Sequence, residues 1–135
     1  HTVFGRNALL IPEARMGTSP FLTVARELIY SHHERFDGTG YPEGVRGTNI
    51  PLAGRIMAVA DVYDALVSNR VYKSAMTHDE AVASIEAGSG TQFDPEIVIA
   101  FLDCSEEIRK IATMHADADL AASRLTAEDS NIGVP

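Results

Sequence analysis

The stretch His32-His33-Glu34-Arg35-Phe36-Asp37-Gly38-Thr39-Gly40-Tyr41-Pro42 is where the chain declares its fold. Two adjacent histidines end an apolar helical pattern, an acid and a base follow, and a turn rich in glycine closes the run. Imidazole is the commonest metal-binding side chain, and glycine lets a backbone take the tight conformations that such a turn needs. A helix that delivers two imidazoles into a glycine-rich loop is a frame for a metal or anion site.

Working outward, Ser19 reads as an N-cap with Pro20 at the first helical position. The helix it opens runs to about His33, with Phe21, Val24, Ala25, Leu28, Ile29 and His32 at spacings of three and four. His32 is thereby expected on the core-facing side, and His33 is turned by about 100° from it. Downstream, Gly44 and Gly47 mark continued loop. Pro51 then introduces a helix over about 52–69. Its expected buried stripe is Leu52, Ile56, Val59, Ala60, Tyr63, Leu66 and Val67. Asp61 and Asp64, three apart, share a face that flanks this stripe. A carboxylate beside a core needs a partner, for which a metal, an arginine and a helix N-terminus all serve.

Arg70-Val71-Tyr72-Lys73 puts two cations just past that helix, where they also suit the helix dipole. Thr77-His78-Asp79-Glu80 reads as a capping box opening a helix over 78–87 that turns Ala81, Val82 and Ile85 inward and stops at Gly88. Asp94 and Pro95 cap and open the next helix, carrying Ile97, Val98, Phe101 and Leu102. An alanine-rich helical pattern covers about 105–124, and residues 1–11 show another that Pro12 ends. Residues 126–135 are polar and uncapped and read as a frayed tail. No stretch alternates as a strand would, so the expected fold is all-α, a bundle of about five to six helices.

Composition bounds the function. At 135 residues the chain is one domain's worth. Its formal charge of −8, from 19 acids against 11 bases, leaves no basic face and so excludes a DNA or RNA polymer as partner. An anionic ligand would have to be held by bound cations or a few aimed basic side chains. No apolar run reaches the length of a membrane span, and the N-terminus lacks the pattern of a signal peptide. A single cysteine, Cys104, suits a reducing compartment, and a cytoplasmic location is the expectation.

Taken in order, His32 to Pro42, then Ile50-Pro51-Leu52-Ala53-Gly54-Arg55-Ile56-Met57-Ala58-Val59-Ala60-Asp61-Val62-Tyr63-Asp64-Ala65-Leu66, then Arg70 to Lys73, then Phe93-Asp94-Pro95, these motifs strongly resemble HD-GYP domains of the HD phosphohydrolase superfamily. The resemblance covers about residues 1–102, and residues 1–125 are assigned to the domain as its C-terminal portion. It implies a helical bundle holding two or three iron or manganese ions that hydrolyse the phosphodiester of cyclic di-GMP, giving the linear dinucleotide pGpG or GMP. Position by position it implies His32, His33 and Asp61 as metal ligands. His1 is implied as a further ligand, on the pattern His1 to Gly5 alone. Arg70 and Lys73 match substrate-phosphate contacts, and Tyr41 matches the motif tyrosine near substrate or partner.

The family's His-Asp dyad and following lysine fall upstream of the position matched by His1. The expectation is therefore the later part of a longer domain, with the chain by itself inactive. Self-association as a homodimer or packing on a preceding segment would cover the exposed face, and an upstream receiver or sensory domain is usual for the family. His78-Asp79 lies in a capping box and reads as a helix end, not as the dyad. The alternative to an enzyme is a catalytically incomplete signalling module of the same family, binding nucleotide or partner without turnover. A third reading is hydrolysis of another cyclic dinucleotide or phosphoester by the same site.

Overall fold

The computed structural model describes residues 19–68 and 75–115. Among them the architecture is all-α: α1 (Pro20–Ser31), a 3-10 turn (Gly47–Asn49), α2 (Leu52–Val67), α3 (His78–Ala87) and α4 (Pro95–Asp103), followed by a helical segment over 105–115. The expected helix over residues 1–11, the remainder of the one expected to reach 124, the polar tail, His1, Arg70 and Lys73 lie outside the described residues.

The helix starts follow from their caps. The Ser19 hydroxyl accepts from the Leu22 N–H at 3.3 Å, ahead of Pro20 at the first position. Thr77 and Glu80 form both halves of the capping box, and the Asp94 carboxylate accepts from the Glu96 N–H at 2.9 Å. Each cap satisfies an N–H that the first helical turn leaves without an internal partner.

One apolar core joins α2, α3, α4 and the 105–115 segment. It consists of Ala58, Val59, Tyr63, Ala81, Ile85, Phe93, Val98 and Phe101, with Ile108 and Ala112 packed against it. Tyr63 meets Phe101 edge-on with ring centroids 5.6 Å apart. A Cβ on Gly88 would come within 2.8 Å of the Phe93 ring, so the turn after α3 closes directly on the core.

Two expected stripes are corrected by the structure. On α1, Phe21 and Val24 are 78% and 50% exposed, while Ser31 is buried. On α2, Leu52 and Ile56 are 54% and 50% exposed and Ala60 is exposed too, whereas Gly54, Ala58, Val59 and Tyr63 are buried. The buried arc is thus rotated toward the small residues. Gly54 lies so close to α1 that a Cβ there would stand 2.1 Å from the Ser31 hydroxyl oxygen. Close helix approach needs an absent side chain, and a hydropathy pattern weighted toward large residues misplaces that contact. Asp61 and Asp64 are both exposed, so the expectation that burial makes Asp61 need a partner does not hold.

Candidate metal centre

α1 lies outside the apolar core and meets α2 at Ser31 and Gly54. Its C-terminal end therefore presents His32 and His33 at the seam between the two helices. His32 is the C-cap residue, still near helical conformation, with its N–H bonded to the Leu28 carbonyl. Its ring Nδ1 stands 3.0 Å from the carbonyl oxygens of both Leu28 and Ile29. Two acceptors facing one ring nitrogen place the proton on Nδ1. In the neutral ring the lone pair is then on Nε2, the tautomer that a metal-ligating histidine presents when its other nitrogen donates to a carbonyl.

The rings of His32 and His33 are 4.1 Å apart, tilted by 38°. Tyr41 also stacks on His33, with centroids 4.9 Å apart and planes 23° from parallel. The His33 pKa is lowered, first by burial and next by the neighbouring His32, with Asp61 pulling the other way. A lowered value favours the neutral imidazole that ligation requires.

The loop that carries Tyr41 is built by its own polar groups. The Asp37 carboxylate accepts from the Thr39 N–H at 2.9 Å and hydroxyl at 2.6 Å, an Asx turn that Gly38 completes at φ +83°. These two bonds from Thr39 hold the Asp37 carboxyl below its usual range, with Arg35 adding to the effect. The Phe36 and Asp37 N–H groups bond the Gln92 and Thr91 carbonyls, which ties the loop to the turn ahead of α4. The Tyr41–Pro42 peptide is cis.

Glu34 was not singled out from the sequence, yet it is the best-buried acid of the loop, 4% exposed. Its Oε1 accepts from the Glu43 N–H at 2.7 Å, and among the described residues its Oε2 is buried without a hydrogen-bond partner. Hydropathy offers no signal for it, because an acid after two histidines reads as loop. Gln92, about sixty residues from the histidines in sequence, was missed for the same reason.

His32, His33, Glu34, Arg35, Ala58, Asp61, Val62 and Gln92 line one cleft of about 200 Å³. The structure thereby brings together His32, His33 and Asp61 and places Tyr41 against His33. Asp64, one turn further on, does not line it. Two imidazoles with carboxylates suit iron or manganese, and the buried unpartnered oxygen of Glu34 is the kind of group a cation compensates. Among the described residues no three His, Cys, Asp or Glu side chains close on one point as a metal shell does. A full shell takes donors beyond them.

The other histidine-aspartate pair behaves as a helix start. His78 is the first residue of α3, half-buried, with Nδ1 2.8 Å from the Tyr63 hydroxyl. Asp79 is exposed and pairs with Arg109 at 3.0 Å. Neither lines the cleft. No helix among the described residues is long and apolar enough to cross a membrane.

Residues 13–97 match the HD domain family. The chain is 53% identical over 118 residues to a cyclic di-GMP phosphodiesterase of Vibrio cholerae serotype O1, which covers 87% of this chain and 24% of that protein. It is 41% identical over 119 residues to a cyclic di-GMP phosphodiesterase of Thermotoga maritima, covering 88% of this chain and 31% of that one. A crystal structure of a cyclic GMP-AMP-specific phosphodiesterase of V. cholerae superposes with a TM-score of 0.53 at 29% identity, over 78% of this chain and 22% of its own. The chain thus spans about a quarter to a third of the length of these curated relatives. Domains of this family are metal-dependent phosphohydrolases. An all-α seam presenting adjacent histidines and an aspartate, together with these matches, places the chain in the HD domain family, in its HD-GYP branch.

Proposed function

We propose that this chain contributes part of a metal-dependent active site that hydrolyses cyclic di-GMP to pGpG or GMP. The observation that carries the reading is the shared cleft of His32, His33 and Asp61 in a chain whose curated relatives bear that activity in their names. His32, His33 and Asp61 would hold the ions, two or three of iron or manganese, with His1 as a further ligand. Bound ions of this kind supply Lewis acidity, make water a usable nucleophile near neutral pH and balance charge on the attacking and leaving oxygens.

The chain's own residues supply orientation. The Leu28 and Ile29 carbonyls hold the His32 ring by Nδ1 and so aim Nε2. Tyr41 buttresses the His33 ring and is 52% exposed, which leaves ring surface on which a nucleobase can lie. Arg70 and Lys73 are assigned to the substrate phosphates, the arginine as a bidentate fork and the lysine as a point charge. On an acidic chain these few cations, with the bound ions, do the work of attracting the anion.

A second reading has its own support: hydrolysis of cyclic GMP-AMP, the substrate named for the structural neighbour. Both are tested together. The whole protein that carries this chain is purified anaerobically, loaded with iron or manganese, assayed for metal by elemental analysis and incubated with each dinucleotide. Retention of about two ions and turnover of cyclic di-GMP support the first reading; turnover confined to cyclic GMP-AMP supports the second. Folded protein that binds dinucleotide without retaining metal would show the incomplete signalling module instead.

A further inference from the structure

We propose that Glu34 is a positioning residue of this centre: it locks the loop over residues 34–43 so that Tyr41 sets the plane of the His33 ring, and it puts a buried negative charge in the wall of the cation cleft. The inference rests on the metal-dependent reading above and names a residue that reading does not use.

Three contacts fold the loop back onto residues 33–35. The Glu43 N–H donates to Glu34 Oε1 at 2.7 Å, and the Tyr41 N–H donates to the His33 carbonyl at 3.2 Å. Gly40 packs so tightly that a Cβ there would stand 2.3 Å from the Arg35 nitrogen and 2.6 Å from the Glu34 Cα. Of these, only the Glu34 bond is made by a side chain. It closes the loop end to end, and with residues 40, 41 and 43 all seated, the Tyr41 backbone is placed so that its ring stacks on His33. An imidazole is broad in its terminal torsion, so the 4.9 Å stack of Tyr41, together with the His32 ring 4.1 Å away, restrains the plane of the His33 ring. The Tyr30 hydroxyl also reaches Glu43, at 3.0 Å, but it holds the exposed carboxylate and not the backbone.

Loop closure alone does not require a charge, since a glutamine oxygen would accept the same N–H. A carboxylate with one oxygen buried and unpartnered is costly. Glu34 shares its cleft with His32, His33 and Asp61, so a cation held there offsets that cost. The positive group in the same wall, Arg35, is directed to the loop: its Nε donates to Thr39 at 3.0 Å, and its guanidinium lies 3.6 Å from Asp37.

The two contributions separate on substitution. Glu34→Gln keeps the acceptor and removes the charge; Glu34→Ala removes both. The test uses the whole protein that carries this chain and reads the His33 ring Cε1–H resonance of the metal-free form and its Mn²⁺ affinity by calorimetry, with circular dichroism as the folding check. Glu34→Gln should keep the His33 resonance and weaken Mn²⁺ binding about tenfold. Glu34→Ala should displace the resonance as Tyr41→Ala does and weaken binding further. Should Glu34→Ala cost helical content, Glu34→Asp replaces it, since it shortens the reach to the Glu43 N–H and should displace the resonance while keeping the charge. A His33 resonance that moves in Tyr41→Ala but not when the Glu34 bond is lost overturns the locking role. Unchanged Mn²⁺ affinity in Glu34→Gln overturns the charge role. Absence of Mn²⁺ binding by the unsubstituted whole protein counts against the metal-dependent reading itself, and the His33 resonance still decides the locking.

Discussion

Arg55 on α2 and Asp94 at the head of α4 form a buried ion pair, their side chains 13% and 3% exposed. The Arg55 Nε also donates to the Ile50 carbonyl at 2.9 Å, and Asp94 simultaneously caps α4 through the Glu96 N–H. One arginine thus connects the loop leaving the candidate site to the helix that closes the core. Removing one partner strands the other, at a cost of about 3–5 kcal/mol for a buried pair. Arg55→Ala should lower the free energy of unfolding by about 3 kcal/mol in urea titration, while Arg55→Met with Asp94→Asn should recover part of the loss. A single variant as stable as the parent would show the pair to be energetically idle.

The α1–α2 contact is set by Gly54. A methyl group there meets the Ser31 hydroxyl at 2.1 Å and its Cβ at 3.0 Å. Gly54→Ala is expected to destabilise by about 1–3 kcal/mol through overpacking, despite alanine's better helix propensity. Adding Ser31→Ala removes the nearest atom and should restore a measurable fraction. If thermal melts show Gly54→Ala stabilising the protein, helix propensity has outweighed the packing and Ser31 yields to the added methyl group.

Metal retention should distinguish the two aspartates of α2. Asp61 lines the cleft and Asp64 does not. His33→Ala and Asp61→Asn are each expected to weaken Mn²⁺ binding by at least about tenfold, with Asp64→Asn matching the parent in the same calorimetric titration. Equal losses at 61 and 64 would point to diffuse surface charge in place of ligation.

The capping box sets an acid limit on α3. Hydrogen bonds from the Thr77 N–H, and then from its hydroxyl, hold Glu80 below its ordinary pKa. A folded-state value below the unfolded one contributes stability above the unfolded pKa of about 4.3 and loses it as pH falls through the folded value. Stability measured between pH 7 and 3 should therefore decline less steeply at the acid end in Glu80→Gln than in the parent. Parallel curves would mean the carboxylate is no better satisfied in the helix than in the unfolded chain.

Much of this molecule was legible in the linear sequence because the signals are local. Caps at Ser19, Thr77 and Asp94, prolines at 20 and 95 and the stop at Gly88 act within one helical turn, and the helices begin where those residues place them. The His32–Pro42 motif announced its chemistry for the same reason: adjacent ligand types and turn-forming residues need no distant partner to be recognised. The pairing of Asp61 with the histidines entered through resemblance to a family, and the cleft they share is what the fold adds.

What the tertiary structure alone decided are the relations set by close approach. Leu52, Ile56, Phe21 and Val24 looked like core because hydropathy ranks residues by size, whereas the α1–α2 contact selects Gly54 and Ser31, which are small enough to let two backbones meet. Asp61 needed no burial to take its place beside His33. Glu34 became the pivot of the loop only when the chain doubled back to bring the Glu43 N–H within 2.7 Å. Local propensity places helix ends; which faces are buried and which polar groups converge depends on packing between segments far apart in the chain, and no window of sequence contains that distance.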